Sequence, residues 1–183
     1  MTDKRASIES SRLVFQGRVF SAAVDRVRLP HGVTVDMEVV RHPASVVLIP
    51  FDDEQQIVLV RQYRYAVDRW LWELPAGSVD PGESPAAAAA RECAEETGLM
   101  PSGMEQLGTF YPSPGFCDEA MIFFRLTGLR TPGPGDPEVH QDVDEQLEVR
   151  HFALDDLRAL IKRGDIHDMK TVVGMTLIDW LEG

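Results

Sequence analysis

Cysteine is scarce in this chain. Its 183 residues hold two, Cys93 and Cys117, too few for a disulfide framework and without the CxxC or Cys/His spacing of a zinc site. No apolar run approaches the roughly 20 residues needed to span a bilayer. The start, MTDKRASIES, lacks the apolar stretch of a secretory signal. A cytoplasmic, reducing location with no membrane contact is the expectation. Basic charge is short as well: 18 Lys and Arg stand against 30 Asp and Glu, a net charge of −12. That balance argues against a nucleic-acid groove, because phosphate contacts need a basic surface. A phosphate-bearing small substrate stays open, provided cations neutralise its site. Internal repeats are absent, and the only biased stretch is the alanine run from Ala86 to Ala90. With 44% hydrophobic and 26% charged residues, the chain has the composition of a soluble globule large enough to bury a core.

The first dozen residues are polar and are expected to fray. Arg12 to Leu29 is β-like, Leu29-Pro-His-Gly32 reads as a turn, and Val33 to Val40 as a second strand. Ser45–Pro50 and Gln56–Val60 are apolar runs separated by Asp52-Asp-Glu54, a pattern that predicts a hairpin with buried faces. Short strands are also predicted at Trp70 to Leu74, Leu107 to Tyr111 and Ala120 to Leu126. Thr131 to Asp144, rich in proline, glycine and acids, reads as a surface loop. Amphipathic helices are predicted at Asp155 to Lys162 and Asp168 to Leu181. Strands first, then helix, strands and helices, imply an α/β chain with a mixed sheet flanked by helices.

The helix from Ser84 to Gly98 is the most sharply bounded. Ser84 suits the N-cap, Pro85 the first helical position and Gly98 a left-handed stop. On a wheel, Ala86, Ala87, Ala90, Cys93, Ala94 and Thr97 form a small-residue face expected to pack on a sheet. Glu92, Glu95 and Glu96 fall opposite, within an arc of about 100° at 3.6 residues per turn. Like charges at i,i+4 cost roughly 0.2–0.5 kcal/mol per pair, and anions near the C-terminus oppose the macrodipole by about 0.3–1 kcal/mol each. Arg91 is the one local residue that offsets this. A divalent cation would do so too, and oxygen ligands without His or Cys favour Mg²⁺ or Mn²⁺ over zinc. The alternative is a solvated acidic face.

The surrounding residues decide between these. From Gly77 to Leu99 the chain reads GSVDPGESPAAAAARECAEETGL, with Gly77, Glu83, Arg91, Glu92, Glu95, Glu96 and Gly98 at fixed spacing. This resembles the signature of the Nudix hydrolases at every fixed position. Seven residues at a background near 7% coincide by chance about once in 10⁸ starting points, so the solvated-face reading falls away. Cys93 departs from the pattern, standing where the family prefers a larger aliphatic residue. The resemblance implies an α/β/α sandwich around a mixed sheet and hydrolysis of a nucleoside diphosphate linked to another group. Carried over, Glu92, Glu95, Glu96 and the backbone carbonyl of Ala76 would be metal ligands. Glu92 and Glu96, with Arg91, belong to the catalytic set, and Glu83 would pair with Arg91 to hold the loop and helix. Two or three Mg²⁺ ions would neutralise a pyrophosphate and help deprotonate water.

Arg61-Gln-Tyr-Arg64, Trp72-Glu-Leu-Pro-Ala-Gly77, Tyr111-Pro-Ser-Pro-Gly-Phe-Cys-Asp-Glu119, Glu148-Val-Arg-His-Phe and Lys170-Thr-Val-Val-Gly resemble the ADP-ribose pyrophosphatase branch, the nucleoside diphosphate sugar hydrolases. That likeness implies Arg64 as a phosphate-binding side chain, with Glu73 and Glu119 flanking the cleft to orient ligand or arginine. It divides the chain into an N-terminal β segment, residues 1–42, involved in dimerisation, and a catalytic domain, residues 43–183. A homodimer follows from the family, with Phe15 and Phe20 either stacking on a base or filling core. An acid on the loop before the last strand would be the general base. Relatives have a run of four acids where this chain has Asp142-Val-Asp-Glu145, so the assignment moves to Glu145, with Asp142, Asp144 and Glu138 behind it and His140 as a further candidate. Where relatives have arginine before the glutamate of the second strand, this chain has Met37-Glu38; Arg41 stands as the compensating residue. The expected reaction is hydrolysis of ADP-ribose or a related nucleoside diphosphate sugar. GDP-mannose, damaged nucleoside triphosphates and a non-catalytic sensor are the alternatives.

Overall fold

The computed structural model describes residues 5–134, 136 and 147–182. Among the described residues, three sheets and three helices make up an α/β chain. It divides into two compact units, Met1–Ala44 with Phe110–Met121, and Ser45–Thr109 with Ile122–Gly183.

In the first unit, β1 (Ser7–Gln16), β2 (Ser21–Arg28) and β3 (Thr34–Arg41) form an antiparallel sheet in that order. The predicted frayed start is thus a strand from Ser7. Every residue of β1 is exposed, so its sequence carries no burial pattern; it is ordered by pairing with β2. Phe15 and Phe20 are half exposed and lie ring to ring, 5.5 Å between centroids, rather than filling core.

The second unit holds two sheets. β4 (Ser45–Pro50), β7 (Ala76–Ser78), β8 (Gly103–Phe110) and β9 (Met121–Thr127) run in the order β7-β4-β9-β8; β5 (Ile57–Arg64), β6 (Arg69–Glu73) and β10 (Glu148–Phe152) run as β10-β5-β6. The expected hairpin of β4 and β5 is therefore corrected. The two runs share one bridge, Phe51 to Ile57, and the Asp52 turn carries the chain from one sheet to the other. All of β4 and the first half of β5 are buried on both faces, as strands packed between layers are. Helix α1 (Pro85–Thr97) packs on β4 and β7, and helices α2 (Leu154–Arg163) and α3 (Met169–Glu182) complete the unit. Among the described residues no helix is long and apolar enough to cross a membrane.

Candidate active site

Helix α1 begins and ends where its sequence indicates. Ser84 Oγ accepts the Ala87 N–H at 3.2 Å, Pro85 takes the first turn, and Gly98 closes the helix at φ 72°. Its buried face differs from the expected one. Ala88, Ala89 and Cys93 pack with Val46, Leu48, Phe124 and Leu126, whereas Ala86 and Ala87 are exposed. Five consecutive alanines give the helix no directional preference, so the sheet selects the side. As a result Glu96 lies on the buried face, 3% exposed, rather than opposite it. Burial also pushes the Cys93 thiol up to about 11, so it is protonated and inert at neutral pH.

The carboxylates of α1 converge on the backbone of β7. Glu96 Oε2 accepts the Ala76 N–H at 3.1 Å. The Glu92 carboxylate lies over Gly77 so closely that a Cβ there would fall 2.0 Å from it. Arg91 binds this acidic face together. One Nη donates to Glu92 at 2.7 Å and Glu95 at 2.8 Å; the other Nη and Nε donate to Glu83 at 2.9 and 3.1 Å, with Ser78 O also accepting at 2.9 Å. The hydrogen bonds from Arg91 hold the Glu83 carboxyl below its usual 4.5; donating to Glu83, ahead of Glu92 and Glu95, raises the guanidinium above its ordinary value.

Among the described residues, no three Asp, Glu, His or Cys side chains already stand in a metal cage. Glu92 and Glu95 are turned onto Arg91, and Glu96 reaches the Ala76 N–H. The donor set is nonetheless one of hard oxygens, half-buried or buried, gathered around a glycine whose missing side chain leaves room for a carboxylate. Hard oxygens of this kind suit a divalent cation, and Glu92 and Glu95 would have to leave Arg91 to hold one.

A second polar cluster adjoins β6. Arg64 donates to the buried Glu73 through Nε at 2.9 Å and Nη2 at 2.6 Å. Lys170, on the first turn of α3, bonds the same carboxylate. Burial pulls the Glu73 carboxyl upward, but Arg64 and Lys170 together outweigh it and hold the group below 4.5. The Glu73 hydrogen bonds raise the Arg64 guanidinium, and the charges of Glu96 and Asp168 add to that. No individual role for Lys170, Asp168 or Thr171 follows from the sequence patterns above. One signal was available: Lys170 lies on the inward line of Lys170, Gly174 and Ile178, an odd place for an ammonium unless it is paired.

Arg41 and Glu119 belong to the first unit. Arg41 bonds the buried Asp25 and donates to Asp118 at 3.1 Å, while Glu119 lies 3.8 Å from His42 Nδ1. Glu145, Asp142, Asp144, Glu138 and His140 lie outside the described residues.

Fold and site together define an α/β domain with a carboxylate-lined helix against its sheet. A family model described as NUDIX domain matches residues 40–172. The chain is 38% identical to the methanol dehydrogenase activator of Bacillus methanolicus over 92% of this chain and 90% of that one. It is 36% identical to the ADP-ribose pyrophosphatase of Mycobacterium tuberculosis, over 92% and 81%, and 33% identical to that of Bacillus subtilis, over 92% and 90%. A crystal structure of an ADP compounds hydrolase shares the fold, with a TM-score of 0.80 over 98% of this chain and 95% of that one at 23% identity. This chain belongs to the Nudix family and is one of its hydrolases.

Proposed function

We propose that this Nudix hydrolase splits the pyrophosphate of ADP-ribose, or of a closely related nucleoside diphosphate sugar, into a nucleoside monophosphate and a sugar phosphate. The observation that carries this reading is the convergence of Glu92 and Glu96 on the Ala76–Gly77 backbone. Likeness to two ADP-ribose pyrophosphatases along 92% of the chain supports the substrate class. Glu92, Glu95, Glu96 and the Ala76 carbonyl would hold Mg²⁺, or Mn²⁺ in its place. When bound, the metal supplies positive charge for the pyrophosphate and acidifies water.

Arg64 is assigned to a phosphate oxygen, where a fixed guanidinium gives both charge and direction. Glu73 fixes Arg64, and Glu83 fixes Arg91 and through it the spacing of Glu92 and Glu95. Glu145 takes the proton of the attacking water, with Asp142, Asp144 and Glu138 as the neighbouring alternatives. Arg41 is assigned to base recognition in place of the arginine that Met37 replaces, and Glu119 to orienting ligand or arginine. We further infer a cytoplasmic homodimer joined through the N-terminal β segment, residues 1–42, with the catalytic domain in residues 43–183. A net charge of −12 disfavours nucleic acid as a partner.

A sensor that binds the nucleotide sugar without cleaving it is the second reading. A substrate panel decides: ADP-ribose, GDP-mannose and an oxidised nucleoside triphosphate, each with Mg²⁺ and with EDTA. Metal-dependent release of AMP and ribose 5-phosphate, faster than turnover of the others, is expected. Binding of ADP-ribose without cleavage would establish the sensor.

A further inference from the structure

Lys170 is 7% exposed and Glu73 is 2% exposed. An ammonium and a carboxylate so far from water are tolerated only when paired. Each has more than one partner. Glu73 Oε2 receives both Lys170 and the Arg64 Nη2, while Oε1 receives Arg64 Nε. Lys170 also meets Asp168 Oδ1 at 3.2 Å. The other oxygen of Asp168 is committed to Thr171, accepting its N–H at 3.0 Å and its hydroxyl at 2.6 Å. Thr171 Oγ1 in turn accepts the Leu74 N–H at 2.8 Å.

The result is a chain of contacts from the first turn of α3 to the segment leading into Ala76. Glu73 is held by its side chain, Leu74 by its N–H to Thr171, and Pro75 by its carbonyl, which accepts Leu48 N–H at 2.9 Å. Two cations share the Glu73 carboxylate, so its single charge is divided between them, while Lys170 also meets Asp168.

We infer that Lys170 is a positioning residue for Arg64: by taking a share of Glu73, it leaves the guanidinium electropositive toward the substrate's pyrophosphate. This rests on the phosphate-binding role of Arg64 proposed above. Stability alone gives no reason for the arrangement. A buried ion pair is commonly replaceable by apolar side chains of similar volume without loss, and the Lys170–Gly174–Ile178 line is otherwise apolar. Without Lys170, the bidentate pair that Arg64 already makes with Glu73 would have the whole carboxylate charge to itself, and such charge-assisted bonds are among the stronger a protein makes.

The test is kinetic, with ADP-ribose and saturating Mg²⁺. Lys170→Met should raise KM about tenfold, the scale of one charge-assisted hydrogen bond. Because phosphate binding is shared by ground and transition states, kcat should stay within about threefold. Lys170→Arg, which keeps the cation, should restore KM. In an Arg64→Ala background, Lys170→Met should leave KM where Arg64→Ala alone puts it, because no guanidinium remains to be positioned. A merely structural lysine would raise KM by the same factor in both backgrounds. Should Lys170→Met not fold, Lys170→Gln, which keeps a hydrogen-bond donor for Glu73 without the charge, carries the test: a tenfold rise in KM is expected, and an unchanged KM in the folded variant would overturn the inference. Arg64→Ala separates the two claims. If it leaves KM unchanged, the phosphate role of Arg64 fails and the inference with it; if it raises KM while Lys170→Met does not, only the role of Lys170 fails.

Discussion

Replacing Gly77 by alanine tests the site at one atom. The added Cβ would fall 2.0 Å from the Glu92 carboxylate, against 3.4 Å for the near edge of ordinary contact, so the carboxylate must withdraw by about 1.4 Å. Gly77 has no positive φ, and the obstructing atoms are the end of a flexible side chain, so the backbone has no reason to move. The structural loss is the 2.7 Å pair between Glu92 and Arg91, worth about 0.2–1 kcal/mol for a partly solvated pair. At about 2–4 °C per kcal/mol for a chain of this size, Tm should fall by no more than about 4 °C. Activity should suffer far more, because a displacement near 1 Å of a group that must be in register costs about 10²-fold. Thermal melts and initial rates of AMP release from ADP-ribose measure both. Unchanged kcat/KM in the variant would refute the placement of Glu92 in the site. A collapse of Tm by more than about 10 °C would refute the claim that the side chain alone yields, since so large a drop exceeds any single exposed pair.

Two further outcomes follow from the ion pairs. Glu73→Gln leaves two cations against a neutral amide and should cost about 3–5 kcal/mol, as breaking a buried pair does. The Glu73 carboxyl sits below its ordinary 4.5 when folded, so its contribution is complete above pH 4.5 and is lost as pH falls through the folded value. The Tm gap between wild type and variant should therefore be widest above pH 4.5 and close below it; a gap independent of pH would contradict the assignment. Arg91→Ala removes the cation from Glu83, Glu92 and Glu95. Its metal-free Tm should drop, and added Mg²⁺ should raise Tm by more than in wild type, whereas an equal Mg²⁺ shift in both would mean these carboxylates do not meet the ion.

What could be read from the sequence was what is decided locally. The ends of α1 follow from Ser84, Pro85 and Gly98, each acting within one turn, and the structure has them there. The family followed from the fixed spacing between Gly77 and Gly98. The face that α1 buries was not legible, because Ala86 to Ala90 offer equal volume on every side and only β4 and β9, distant in sequence, choose among them. Nor was the path from Phe51 to Ile57, since an apolar run followed by a turn and another apolar run describes a hairpin and a crossing between layers equally well. Ser7–Gln16 escaped for the opposite reason: an exposed edge strand has no alternation to show. The bond between Glu73 and Lys170 joins residues 97 apart, a distance at which neither spacing nor propensity speaks. Their charges were visible in the sequence, but their shared burial was not.

The central claim, that the carboxylates of α1 carry hydrolysis of a nucleotide sugar, is tested most directly by Glu96→Gln. The amide keeps an oxygen for the Ala76 N–H, bonded at 3.1 Å in the native chain, so the fold is retained while the charge is lost. With ADP-ribose and Mg²⁺, wild type should release AMP and ribose 5-phosphate, and the variant should be slower by on the order of 100-fold or more, the scale of removing one preorganised charge-stabilising group. Equal turnover by a folded Glu96→Gln protein would contradict the account.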